Sequence, residues 1–461
     1  MRLGAIALLA GVAAWSAAPV VKGERLEFHF VASELANLTF QLDAMARLSG
    51  ADAAAYQALW TRELRWDRED DRQLDRWKNL RIAQQGSGPS SRSTPKVGWP
   101  PNYAGFYGQE LGLDQNVRIA GFRAGSIKDY GKRLRKIIDE READGLVSVV
   151  KHFGGRFEEF WQREGKRLTV PKAEGFATLV RERGVLALAE QFVVFTEADL
   201  PRHHGVWFYL IAHPTRFGRD TMATQLQSHA PVELLDAERP EDKLAVIVHE
   251  LVHHFYDRAP LARHMGLMQE FRDAKPEWRM AAYSYLNEAV ATAAGILVER
   301  RLKTDAEFVR WSSNARNVYS QPWISALGTA THPIIEKCLA GGCGLFSSGF
   351  TADYLAAAEQ ALGARVRHPH FRLASRILVF GNSNLLSASR RFRERVPSIM
   401  HATGWEQLAR FPDLPVVMLA LEGEQTALFQ RIGPGRDITA LIGPTAEAVE
   451  QEVERFALRP F

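Results

Sequence analysis

The pentapeptide His-Glu-Leu-Val-His at residues 249–253 has the residue types and the spacing to bind and use a metal ion. A helix turns by about 100° per residue, so positions four residues apart lie on one face. His249 and His253 can therefore reach a single ion, while Glu250 is rotated off that pair and can act as a base on a water molecule. The flanking residues are apolar almost all round, as in a buried helix. The sequence predicts a zinc site on a helix over residues 243–256.

A catalytic zinc ion usually has three protein ligands, so a third must come from elsewhere in the chain. One known continuation is excluded, because Tyr256 and Ala259 stand where it requires Gly and His. A Gly-Thr-x-x-Asp continuation is approached only at 328–332, which ends in His. The best candidate is Glu288, at the centre of an apolar helical stretch (277–301) where a lone carboxylate is rarely left unpaired. Small residues would let this helix pack closely on the first one: Ala289, Ala291, Ala293, Ala294 and Gly295.

The pentapeptide, followed by Asn-Glu-Ala-Val-Ala at 287–291, resembles the gluzincins, which are zincin metallopeptidases with two His and one Glu as zinc ligands. The resemblance implies that His249, His253 and Glu288 bind zinc and that Glu250 is the general base in peptide-bond hydrolysis. It also implies a peptide or protein substrate. The implied fold is a small mixed sheet packed on the active-site helix, with an edge strand that holds the substrate backbone.

The chain departs from this family at Thr292, where many gluzincins have an Asp that orients the first ligand His. We therefore expect another orienting group, and Asn287 or Tyr285 are candidates. A donor for the oxyanion of the reaction is not fixed by spacing. Its candidates are His229, Tyr319, His332 and Tyr354.

Two other functions are compatible with the same residues. The site could hydrolyse a non-peptide amide or ester. Alternatively, the chain could be a non-catalytic protein with a zincin fold that serves as a binding or scaffold protein. All four residues of the expected site are present, which favours an enzyme, because a degraded site would often lack one of them.

Strand-like segments occur just upstream of the predicted zinc helix. Residues 205–213 form a run of aromatic and branched side chains, and residues 225–234 alternate in the manner of a partly exposed strand. Pro231 suits an edge strand or the end of a strand. We place the substrate-binding edge at 222–230, because a peptide can bind by adding a strand to an exposed sheet edge.

These patterns predict an α+β, mainly helical fold with a zincin-like core between helical domains. The predicted organisation is a signal peptide at 1–23, a helical region at 24–180, a catalytic core at 181–319 and a helical C-terminal domain at 320–461. In the helical region, a Gly/Ser/Pro-rich loop spans 84–102 and is a linker, a disordered insert or a flap. The last domain has one possible strand, from Leu414 to Leu421.

Composition narrows the partners and the compartment. A net charge of +4 is small for 461 residues, and the densest basic cluster runs directly into acidic residues, so nucleic acid is not an expected partner. The apolar N-terminal run is short and alanine-rich, which predicts an exported protein, periplasmic or secreted, without a stable membrane span. Cys338 and Cys343 flank a Gly-rich loop and are expected to form a disulfide.

Overall fold

The computed structural model describes residues 18–84, 111–396 and 398–459. The predicted signal peptide up to residue 17 and most of the predicted loop (85–102) lie outside the described residues. The described chain is mainly helical, with two four-stranded sheets, which confirms the α+β, mainly helical class. No helix in the described ranges is long and apolar enough to cross a membrane.

The helices of the first part of the chain are α1 (Glu34–Met45), α2 (Ala53–Glu63), α3 (Arg68–Gln84), α4 (Leu113–Arg123), α5 (Ile127–Leu134), α6 (Glu140–Phe160), α7 (Lys166–Glu182) and α8 (Val185–Phe195). A π-helical turn, Trp161–Gly165, joins α6 to α7. The following helices are α9 (Glu241–Asp257), α10 (Leu261–Asp273), α11 (Arg279–Leu302), α12 (Asp305–Ser312), α13 (Ala315–Val318), α14 (Pro322–Gly341) and α15 (Phe350–Leu362). The last ones are α16 (Pro369–Arg372), α17 (Leu386–Arg395), α18 (Gln407–Arg410), α19 (Gln425–Ile432) and α20 (Ala446–Ala457).

The first sheet draws its strands from two distant parts of the chain. Its order is β1 (Val20–Lys22), β2 (Leu26–Val31), β3 (His204–Ala212) and β4 (His229–Leu234). β1 is antiparallel to β2, and the other pairs are parallel. The sheet thus joins β1, within the predicted signal peptide (1–23), and β2, within the predicted helical region (24–180), to two strands of the predicted catalytic core (181–319).

Side chains of β3 alternate between two hydrophobic cores because successive residues of a strand point to opposite faces. Phe208 and Leu210 pack with helices α7 to α11 on one face, and Tyr209 and Ile211 pack with α1 to α6 on the other. A strand that is buried on both faces reads as a continuous apolar run, as the segment 205–213 does. This sheet therefore lies between two helical layers, and α9 belongs to the first layer.

Helices α9 and α11 lie side by side in that layer. Gly295 is the point of close approach, because a Cβ placed on it would be 3.4 Å from the carbonyl oxygen of Ala245. Its neighbours Ala291 and Ala294 are fully buried. The small residues that the sequence places in the second helix therefore bring it against the predicted zinc helix.

The C-terminal part differs from the predicted helical domain. It contains four parallel strands in the order β6 (Met400–Thr403), β5 (Ser375–Phe380), β7 (Val416–Leu421) and β8 (Ile438–Gly443). Helices α17 and α20 cover one face, and α18 and α19 cover the other. Only β7 was predicted. The strands are four to six residues long, and short apolar runs of that length cannot be assigned from periodicity.

The predicted disulfide between the two cysteines is confirmed. Cys338, at the end of α14, is joined to Cys343 by a disulfide. Gly342 between them adopts a left-handed conformation with φ of 76°, which favours glycine and lets the chain turn back after the helix.

Candidate metal centre

The three predicted ligands converge in the structure. His249 and His253 lie one turn apart on α9, with their Nε2 atoms 3.0 Å from each other. Glu288 projects from α11 and places Oε2 3.5 Å from Nε2 of His249 and Oε1 3.7 Å from Nε2 of His253. Among the described residues this is the only group of three or more such side chains whose ligand atoms all lie within 4.8 Å of one another.

The spacing of these atoms suits a zinc ion. Tetrahedral ligands about 2.1 Å from zinc are about 3.4 Å apart, close to the separations found here. Within the described chain, Oε2 of Glu288 is buried without a hydrogen-bond donor. Asn287 Oδ1 lies 3.0 Å from Nδ1 of His253 and accepts its proton, so Nε2 of that ring carries a lone pair toward His249. A bound cation would give both Oε2 of Glu288 and Nε2 of His253 a partner.

Glu250 lies beside this group and near the backbone of another segment. The backbone N–H of Gln225 is close enough to the Glu250 carboxyl to lower its pKa. Burial raises the pKa of the Glu250 carboxyl above its ordinary value, and the Glu288 carboxylate adds to that rise, whereas His253 and the Gln225 N–H act in the opposite direction. A carboxylate in such surroundings accepts a proton more readily than one in water.

Glu288 has the opposite electrostatic balance. Burial alone would raise its pKa, but His253, His249 and the hydroxyl of Tyr319 outweigh burial and lower the pKa to about 2. Tyr319 follows the short helix α13, and its ring centroid lies 5.6 Å from that of His249. Glu288 is therefore an anion, which is the form in which a carboxyl group binds a metal.

Asn287 and Tyr285 were the candidates for the group that orients a ligand His. Asn287 contacts His253, the second ligand His, whereas the Asp that it was expected to replace acts on the first, His249. Tyr285 instead accepts a hydrogen bond from Gln321 and stacks on Phe371. Thr292, at the position where many gluzincins have Asp, is buried, and its hydroxyl has no hydrogen-bond partner among the described residues.

Of the four candidate oxyanion donors, only Tyr319 contacts the ligands. His229 lies in β4, with Nδ1 2.9 Å from the hydroxyl of Tyr209. His332 lies on α14, 4.0 Å from a carboxylate oxygen of Glu336. The hydroxyl of Tyr354 donates to the carbonyl of Ala282. These three side chains are not part of the metal group.

The segment 221–227, here named the edge segment, runs antiparallel to the outer side of β4. It is joined to β4 by a tight turn at Gln227 and Ser228, so the predicted strand 225–234 is a hairpin instead. Residues 222, 224 and 226 exchange backbone hydrogen bonds with β4. Because alternate residues of a strand face opposite ways, the backbone of 223 and 225 points away from β4. This outer side is the one from which Gln225 reaches Glu250.

Three comparisons with known proteins are negative: no family model, no curated protein and no solved structure matches this chain. The contact that sequence reasoning missed is the one from Gln225 to Glu250. Because it is made by a backbone group, no side-chain type in the sequence could have indicated it.

Proposed function

We propose that this protein is an exported zinc metallopeptidase of the gluzincin type that hydrolyses peptide bonds in peptides or proteins. The observation that carries the proposal is the convergence of His249, His253 and Glu288 from two packed helices, with Glu250 held beside them. Three ligands and a neighbouring carboxylate are what a hydrolytic zinc site requires.

The four residues divide the chemistry between them. His249, His253 and Glu288 would hold Zn²⁺, which supplies a Lewis acid that polarises the substrate carbonyl and lowers the pKa of water. Glu250 takes a proton from the attacking water while the oxygen of that water bonds to the carbonyl carbon. The same carboxyl then passes that proton to the amide nitrogen as the C–N bond breaks. The hydroxyl of Tyr319 is the proposed donor to the oxyanion.

The edge segment supports a peptide substrate over a simple ester. Several backbone groups of the edge segment point away from β4: the carbonyl groups of Ala223 and Gln225 and the N–H of Ala223. Glu250 lies near Gln225 on this same side. An extended peptide can pair with such groups as an added strand. This pairing would bring a substrate backbone alongside the proposed base.

Metal analysis and a cleavage assay test this function. We expect about one zinc per chain in protein purified without chelator, and little in Glu288→Ala. Glu250→Gln should keep its zinc but cleave peptides at least about 100-fold more slowly, because the metal remains while the base is lost.

Other outcomes would point elsewhere. Absence of zinc from the wild type, even after the metal is added back, would contradict the proposal. Cleavage of esters but not peptides would indicate a different hydrolase. Bound zinc without any hydrolysis would indicate a binding or scaffolding protein.

A further inference from the structure

The edge segment is tied to β4 by a buried carboxylate as well as by its backbone. Glu233 lies in β4 and is fully buried. Its N–H donates to the carbonyl of Met222 at 3.0 Å, and its Oε2 accepts the N–H of Met222 at 2.9 Å. A single residue of β4 therefore binds both backbone groups of one residue of the edge segment.

The other oxygen of this carboxylate is bound by a helix from the N-terminal part of the chain. Tyr56, on α2, donates its hydroxyl proton to Oε1 of Glu233. A carboxylate without partners in such a position would be strongly destabilising. Here both of its oxygens accept hydrogen bonds, which offset part of the free-energy cost of burying the group. The same hydrogen bonds connect α2, β4 and the edge segment.

Helix α9 holds the residue before Met222. Lys243 donates from Nζ to the hydroxyl of Thr221 at 2.6 Å and forms an ion pair with Glu238 at 2.9 Å. Six residues further along the same helix is His249. The start of the edge segment is therefore attached to the helix that bears the two His ligands and Glu250.

The other end of the edge segment lies next to the site, since the backbone N–H of Gln225 is close enough to Glu250 to act on the pKa of its carboxyl. The intervening chain has no helix of its own, since residues 213–228 connect β3 to β4 without one. Its position thus depends on its attachments. We propose that Tyr56, Glu233 and Lys243, here named the anchor cluster, are positioning residues that fix the edge segment for binding of an extended peptide. This inference rests on the proposed function, and none of the three residues is proposed to touch the substrate.

The test compares peptide cleavage by zinc-loaded wild type and Thr221→Val, using an internally quenched peptide that the wild type cleaves. Valine has nearly the size of threonine but cannot accept the hydrogen bond from Lys243. We expect KM to rise about three- to tenfold, as for loss of one positioning hydrogen bond, with a much smaller change in kcat and unchanged zinc content. Thr221→Ser keeps the hydroxyl and should restore the wild-type KM.

Glu233→Gln, assayed at pH 8, provides a second, independent change, because it keeps the side-chain size but leaves one fewer acceptor for Tyr56 and Met222. Its KM should also rise. Asp43→Asn is the matched control: Asp43 is an equally buried carboxylate, but it binds Arg81 and Arg118 and not the edge segment. This control should lower the melting temperature and leave KM unchanged.

The outcomes separate the two proposals. If the wild type cleaves peptides while Thr221→Val and Glu233→Gln keep the wild-type KM, the anchor cluster has only a structural role and this inference is overturned. The same conclusion follows if Glu233→Gln lowers the melting temperature alone. If the zinc-loaded wild type cleaves no peptide, the proposed function fails, and the inference fails with it.

Discussion

At the scale of single residues, the candidate site combines two His and a Glu from one helix, α9, with Glu288 from α11 and Tyr319 from the segment after α13. The spacing of His249 and His253 fixes their common face, and Glu288 was identified by its apolar surroundings. Asn287 was one of two candidates for orienting a ligand. By contrast, Tyr319 could not be distinguished from the other oxyanion candidates, because its contact depends on how the chain folds back after α12 and α13.

Asn287 is expected to matter for metal affinity although it does not belong to the ligand group. Its Oδ1 accepts the Nδ1 proton of His253 and so fixes the tautomer and the ring orientation. Asn287→Ala should therefore weaken zinc binding about 10- to 100-fold, measured by competition with a chromogenic chelator.

Asn287→Asp is the control for that measurement, since an aspartate retains an oxygen that can accept the same proton. Its zinc affinity should stay near that of the wild type. Equal affinities for the wild type and Asn287→Ala would show that packing alone orients His253.

At the scale of elements, a helix or strand could be predicted from the sequence when it was long enough to show a clear hydrophobic period. Long helices such as α9 and α11 carry many apolar positions with a helical period, and both lie where the sequence placed them. The strands β5, β6 and β8 were missed because each is a short segment between short helices, where neither period is established. The predicted strand at 225–234 is confirmed only over 229–234, as β4, because a two-residue turn divides the segment and the sequence has no Gly at that turn.

Close packing of α14 on α11 gives a prediction at this scale. Gly328 of α14 faces Thr292 so closely that a Cβ would lie 2.6 Å from Cβ and 2.4 Å from Cγ2 of that threonine. Rotation of the threonine side chain cannot move its Cβ, so the helices would have to separate. We expect Gly328→Ala to lower the free energy of unfolding by about 1–2 kcal/mol, because overpacking outweighs the gain in helix propensity.

Gly266 allows a matched comparison. It lies in the middle of α10, is exposed, and a Cβ placed there would meet no atom within 4 Å. Gly266→Ala should therefore raise the free energy of unfolding by about 0.5–1 kcal/mol, measured by urea denaturation alongside Gly328→Ala. A stabilised Gly328→Ala would mean that the two helices can move apart without loss.

At the scale of the whole molecule, the first sheet connects the beginning of the described chain with its centre. β2 pairs with β3 across more than 170 residues, with Phe30 opposite Phe208. Helices α1 to α8 lie between these strands in the sequence and cover both faces of the sheet. No local pattern reports such pairing, and this is why the predicted domain boundaries divided a single structural unit.

The burial of Glu233 within this unit makes a pH-dependent contribution to its stability. Burial raises the pKa of the carboxyl from 4.5 to about 7, and Asp52 acts in the same direction, against the hydrogen bonds from Tyr56 and Met222 and the charge of Lys243. Between pH 4.5 and 7 the folded chain therefore keeps a proton that the unfolded chain releases. Stability must fall as the pH rises through this window, by up to about 3 kcal/mol from this group.

The glutamine side chain of Glu233→Gln does not titrate. The free energy of unfolding of this variant should therefore rise relative to that of the wild type as the pH is raised from 5 to 8. Urea denaturation at four pH values in this range would measure the difference. Asp43→Asn serves as the reference: Arg81 and Arg118 outweigh burial and hold the pKa of Asp43 below its ordinary value, so its contribution is lost only in more acidic solution. A difference between Glu233→Gln and wild type that is independent of pH would mean that Glu233 is ionised throughout, in which case the carboxylate is better solvated or more strongly bound than its buried position indicates.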